Sequence, residues 1–181
     1  APAAPAASTT TFTVDPAVSA RVRAQMLAAA LPTSPNPEGL RQAVAAGLPW
    51  AEFDRLLREH GYDPRDLADV VGAFYLIAWE VATGSDATGQ PQGIAAVRGQ
   101  ARQMLAGMPE FARMGMAERQ AAAETLAFHA MAIAARHHDL QAAGGGPAVL
   151  RFREEVAQAV AQQQGIDLRR FALTPAGFQQ R

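Results

Sequence analysis

The stretch VVGAFYLIAWEVA, residues 70–82, decides the fold. Coiled as a helix it covers about 20 Å, against about 30 Å of bilayer hydrocarbon, so it is too short to span a membrane. Glu80 within it argues the same way. A helix that is apolar on nearly every face has to be covered on every side, which predicts a central helix wrapped by others. The preceding YDPRDLADVV supplies its start: Asp63 is read as the N-cap, Pro64 as a first-turn residue and Asp66 as completing a box-like cap. The helix is expected to run to about Thr83, with Gly72 letting a neighbour approach closely.

Working outward, amphipathic helices are predicted on both sides. Asp15 and Pro16 open one to about Ala30, with Val18, Val22 and Met26 on one stripe. Pro32, Pro35 and Pro37 enforce a loop. A short helix from Glu38 stops at Gly47, and Pro49 restarts one that buries Trp50, Phe53, Leu56 and Leu57 until Gly61. Beyond the turn-rich TGSDATGQP, the stripe Ile94, Val97, Ala101, Met104, Leu105 and Met108 marks another helix. A short turn follows Pro109, the longest helix runs from Ala117 to about Ala143, and Pro147 opens the last, which Gly165 ends. Thr11, Phe12, Thr13 and Val14 alternate as a short strand and are expected to pair with the extended piece Phe171 to Leu173. The expectation is an all-α single domain over residues 11–181. It has about five main helices plus short ones, and a minor two-stranded pairing of its N- and C-terminal segments. Residues 1–10, rich in Ala, Pro, Ser and Thr, are read as a flexible spacer.

Composition narrows the chemistry. The formal net charge of −1 leaves no basic footprint for nucleic acid, so no nucleic-acid partner is expected. All 16 basic residues are arginine, which excludes a Schiff-base lysine and a phosphate-loop lysine. The absence of cysteine excludes disulfides, thiolate nucleophiles and sulfur-ligated metals. The opening APAAPAASTT reads as a mature terminus left by signal peptidase, so a periplasmic or secreted location is expected.

Three of the four histidines lie in AFHAMAIAARHHDL, residues 127–140. His129 and His137 sit eight residues, or about 12 Å, apart on one helix, too far to share a metal. Adjacent His137 and His138 diverge by about 100°, and the spacing of a helical zinc pair is absent. His137 falls on the stripe of Leu126, Ala130, Ile133 and Leu140, as a core imidazole would, and Thr125 is placed to partner His129. No metal and no other cofactor is expected. Glu80 stands out as an acid near the C-terminal end of an apolar helix, where both desolvation and the helix dipole oppose its charge. A partner is therefore required: an arginine, the Tyr75 hydroxyl or a loop amide. No G-x-S-x-G elbow, phosphate loop or calcium loop is present.

Several of these residues together resemble the alanine-rich bacterial domains of unknown function whose members carry a signal peptide. The likeness runs through Phe12-Thr13, Pro16-Ala17-Val18, Gly61-Tyr62 and Leu67-Ala68-Asp69, then Ala78-Trp79-Glu80 and Ala96-Val97-Arg98. It closes with Gly165, Asp167-Leu168, Leu173-Thr174 and Gly177-Phe178. The resemblance implies export and one helical domain; it carries over no functional residue and leaves function open. Three functions remain. The first is a non-enzymatic exported protein that binds a protein partner or its own copies through the arm Thr11–Val14. The second is a carrier or sensor of a small apolar ligand in a pocket of Phe74, Trp79, Met104 and Met131. The third is an enzyme at a buried polar site built from Glu80 with Tyr75, His129 or His137.

Overall fold

The computed structural model describes residues 10–181, so the expected spacer, apart from Thr10, lies outside the described residues. The described residues form eight α-helices and one hairpin. The helices are α1 (Pro16–Ala30), α2 (Pro37–Ala45), α3 (Leu48–Glu59), α4 (Leu67–Thr83), α5 (Pro91–Ala106), α6 (Pro109–Ala112), α7 (Met116–Ala142) and α8 (Pro147–Gln164). The strands are β1 (Phe171–Thr174) and β2 (Gly177–Gln180). The all-α fold class therefore holds.

Helix α4 is the axis of the bundle. Every residue from Leu67 to Ala82 is buried except Ile77 and Glu80, which are half-buried. Helices α5, α7 and α8 pack directly against it, and α3 also touches it. An all-apolar helix has no other stable place in water, because each exposed side chain would forfeit about 1.5–3 kcal/mol of burial. Gly72 faces Val97 and Ala101 of α5 with room for a methyl group. The tighter approach is at Gly93, where a Cβ would stand 2.6 Å from the Thr174 carbonyl oxygen, so α5 can lie directly on the hairpin.

Two local expectations are corrected. Helix α4 begins at Leu67 with Asp66, not Asp63, as its N-cap; Asp66 Oδ1 accepts from the Ala68 amide at 3.0 Å. Asp63 instead closes a small turn by accepting from the Arg65 amide. Asp66 prevails because it also takes the Thr10 hydroxyl (2.6 Å) and Arg102 Nη2 (3.2 Å), contacts no local pattern could show. The C-terminal strand also pairs differently. Phe171–Thr174 forms an antiparallel hairpin with Gly177–Gln180 rather than pairing with residues 11–14. Pro175 and Ala176 form the two-residue turn, the Thr174 hydroxyl donates to the Gly177 carbonyl, and Gly177 takes φ 99°. Closing a two-residue loop costs far less chain entropy than joining the two ends of the chain. Thr11 meets Asp66 in an isolated antiparallel bridge instead, flanked by bonds from Phe12 N to the Arg65 carbonyl and from Leu67 N to the Thr10 carbonyl.

One charged cluster pins α4 to α5. Asp69, fully buried, accepts from Arg98 Nε at 2.8 and 2.9 Å, from the Asp63 amide at 2.8 Å and from Arg102 Nη2 at 3.4 Å. All of its acceptor capacity is used, as a buried carboxylate demands.

Candidate functional site

Glu80 is half-buried beside an apolar cavity of about 120 Å³, walled by Leu57, Tyr62, Leu76, Ile77 and Ile94 and bordered by His60. Burial pushes the Glu80 carboxyl above its usual range and the Ala87 amide holds it back, while the Asp86 carboxyl, through its charge and a shared hydrogen bond, adds to the rise. The amide donates to Glu80 Oε2 at 3.0 Å, so the acid fastens the loop between α4 and α5 onto the helix that precedes it. Tyr75 does not reach Glu80; its hydroxyl donates to Gln164 Oε1, and burial pushes its pKa up to about 12.

The histidines are not gathered at this site. His129 is exposed on one side and edge-on to Phe128 at 6.1 Å on the other, and partial burial lowers its pKa. His137 is half-buried on its stripe, and its Nε2 atom is buried without a hydrogen bond. Desolvation and the nearby Arg153 charge lower its pKa. No group of three or more histidine or acidic side chains among the described residues is arranged to hold a metal.

The four residues expected to line an apolar pocket separate. Met104 lines a cavity of about 160 Å³ under the hairpin, with Ile166, Leu168, Phe171 and Phe178. Trp79 meets that region through Phe178, with ring centroids 5.7 Å apart, and donates from Nε1 to the Phe171 carbonyl at 3.0 Å. Phe74 packs edge-on to Tyr75, and Met131 is a partly buried member of the general core.

A larger cleft, of about 320 Å³, opens between α1, α3, α7 and the segment after Phe12. Its floor is apolar, with Phe53, Val70, Ala123 and Ala127, and its walls carry Arg23, Asp54, Arg65, Glu124, Ser19 and Trp50. Trp50 is fixed from three directions. Its Nε1 donates to the Glu124 carbonyl at 2.9 Å, Phe128 stacks at 5.7 Å, and the Arg23 guanidinium lies 5.2 Å from its ring centroid. Gly47, at φ 69°, leaves room for that guanidinium: a Cβ there would stand 2.9 Å from Arg23 Nη2. Apart from this ring contact, Arg23 makes no hydrogen bond or ion pair among the described residues. Asp54 is paired with Arg65 at 3.3 Å, and its pKa is raised first by burial, with the Glu124 charge adding to the rise against the pull of Arg65 and Arg58.

One buried amide sets this geometry. Gln120, with no exposed surface, accepts from the Asp15 amide at 2.9 Å. Its Nε2 lies 3.0 Å from the Asp15 carbonyl, to which one N–H donates, and the other N–H is shared between Ser19 Oγ at 3.0 Å and Glu124 Oε1 at 3.2 Å. Ser19 Oγ donates to the same Glu124 oxygen at 2.6 Å. The start of α1 is thus clamped to α7. Glu124 is held by one oxygen, while Oε2 carries no hydrogen bond among the described residues. The arm residues Thr11 to Val14 join this arrangement: Phe12 is buried, Val14 forms part of the cleft wall, and Thr11, Thr13 and Val14 remain exposed.

Sequence reading missed this cleft. Arg23, Trp50 and Glu124 lie on three helices, and Gln120 meets Asp15 across 105 residues, so no local pattern links them. A glycine just before Pro49-Trp50 was the nearest signal, and it reads equally well as a helix stop.

The model of a family described as a family of unknown function (DUF6683) matches residues 1–181, and the chain belongs to that family. No curated protein and no solved structure matches the chain.

Proposed function

We propose that this DUF6683 protein is a non-catalytic binding protein, a carrier or sensor that holds a small molecule in the Trp50 cleft. The observation that supports this most is the pair of uncommitted charges, Arg23 and Glu124 Oε2, facing one cleft in which Ser19 and Trp50 are hydrogen-bonded and Asp54 is paired with Arg65. Fixed, unspent donors and acceptors over an apolar floor are the usual make-up of a ligand site, and about 320 Å³ lies at the lower end of the usual volume range. Binding is favoured over nucleophilic chemistry because the Ser19 hydroxyl gives its proton to Glu124 and accepts from Gln120, which locks it into the clamp. The test is a thermal-shift screen against small metabolites, using the wild type and Ala51→Phe. Ala51 is exposed on α3 and lines the cleft, so a phenyl ring there fills it without disturbing the core. Ligands that raise Tm by mass action should do so only in the wild type. Equal shifts in both proteins would refute the site.

A second reading, association with another chain through the arm, is supported by the exposure of Thr11, Thr13 and Val14. Light scattering on Thr13→Glu/Val14→Glu tests it: an oligomer that dissociates supports the arm, and an unchanged mass removes it.

A further inference from the structure

The cleft has a chemical selectivity, and the inference that follows rests on its being a ligand site. Its charges are divided. Asp54 and Arg65 neutralise each other, which leaves one guanidinium and one carboxylate oxygen unspent. Arg23 and Glu124 both line the cleft, yet no ion pair of 4.0 Å or less closes between them, so the space separating them is open to a ligand. Arg23 is also oriented in advance. Its place over the Trp50 ring and against Gly47 holds the guanidinium in position, and its N–H groups, with no partner among the described residues, are available to a carboxylate. Glu124 is likewise held through Oε1, so Oε2 presents an acceptor without reorganisation. A ligand with only negative charge would meet Glu124. One with only positive charge would meet Arg23. The apolar floor of Phe53, Val70, Ala123 and Ala127 is itself nearly covered, and the exposed Val14, Ala46 and Ala51 above it give a hydrocarbon group apolar surface to cover.

We infer that the cleft binds an α-amino acid with an apolar side chain, its carboxylate on Arg23, its ammonium on Glu124 and its side chain over the floor between α3 and α7.

The experiment is a titration followed through the two indole N–H signals in ¹⁵N-correlated NMR spectra, assigned with Trp79→Phe. The probes are L-leucine, 3-methylbutylamine, which lacks the carboxylate, and 4-methylpentanoate, which lacks the ammonium. Trp50 Nε1 reports on the cleft because it bonds to the Glu124 carbonyl, and Trp79 Nε1, bonded to Phe171, is the internal control. Leucine should shift the Trp50 signal saturably and leave Trp79 unmoved. Each one-charge analogue should bind at least about tenfold more weakly. Arg23→Gln and Glu124→Gln should each weaken leucine about tenfold to a hundredfold, and glutamine at 124 retains the oxygen that Ser19 and Gln120 use. Dispersed spectra confirm that both variants fold. Leucine binding no better than either analogue, binding unaffected by both substitutions, or no saturable shift would overturn the inference. If an analogue binds as well as leucine and Ala51→Phe abolishes that binding, the cleft remains a ligand site and only the zwitterion assignment falls. A blank metabolite screen removes both.

Discussion

Replacing Arg98 by methionine removes the principal partner of a carboxylate with no exposed surface. Asp69 loses two hydrogen bonds, at 2.8 and 2.9 Å, and keeps the Asp63 amide and the long contact to Arg102 at 3.4 Å. Breaking a buried ion pair from one side costs about 3–5 kcal/mol, because the remaining charge stays buried. The low end applies here, since the Arg98 side chain is 34% exposed and Asp69 keeps two partners. The weak stacking of Arg98 over Tyr62, at 5.9 Å, adds only a few tenths of a kcal/mol. The expected loss is therefore about 3 kcal/mol, or about 6–12 °C in Tm for a domain of this size. Urea denaturation of the wild type, Arg98→Met, Asp69→Asn and the double variant gives the coupling directly. Asparagine carries no charge to strand, so the double variant should be more stable than Arg98→Met alone, with a coupling of about 2 kcal/mol. A loss below about 1 kcal/mol in Arg98→Met, or additive effects, would refute the reasoning that this pair locks α5 onto α4.

Glu80→Gln should be neutral or stabilising at pH 7. The Glu80 pKa is raised above its ordinary value of 4.5, so its contribution is fully present below that value and is lost as pH rises through the folded pKa. Glutamine should flatten this window in urea midpoints taken from pH 4 to 7, and a loss above about 2 kcal/mol at pH 7 would contradict it. His137 behaves in the opposite sense. Its pKa is depressed below 6.5, so its contribution is present above that value and declines as pH falls from there through the folded pKa. His137→Gln should lessen the drop in stability between pH 7.5 and 5.5, and an unchanged drop would show that the imidazole is not desolvated. Gly47→Ala forces a side chain into a left-handed conformation and against Arg23, so it should cost about 1–2 kcal/mol and perturb the Trp50 indole signal while sparing Trp79. A variant as stable as the wild type, with Trp50 unperturbed, would mean that the glycine does not position Arg23.

The parts of the fold that follow from one segment's own pattern were legible. Residues 70–82 are apolar all round, which leaves only the bundle centre for them, and the structure buries all but Ile77 and Glu80. Paired caps such as Asp15 with Pro16 mark a helix start by local chemistry alone, and the Asp15 carboxylate accepts from the Ala17 amide at 2.9 Å. Competition between similar local signals was not legible. Asp63 and Asp66 are both plausible caps, and the choice falls to Thr10 and Arg102, remote in sequence. The hairpin was hidden because Phe171–Leu173 reads as one strand in need of a partner, while the turn at Pro175-Ala176 offers a nearer one. Glu80 showed itself as an acid in the wrong place, and its loop-amide partner is one of the three types its position demanded. The Trp50 cleft had no such signal. Its arginine, tryptophan and glutamate are ordinary residues on amphipathic helices until the Gln120 clamp brings α1 against α7.

The most direct test of the central claim is native mass spectrometry of the protein taken from its own host, run beside Ala51→Phe produced in the same way. The account predicts the chain carrying the added mass of one small molecule, absent from Ala51→Phe. The bare chain alone, or copies and partner proteins with no small molecule, would contradict it.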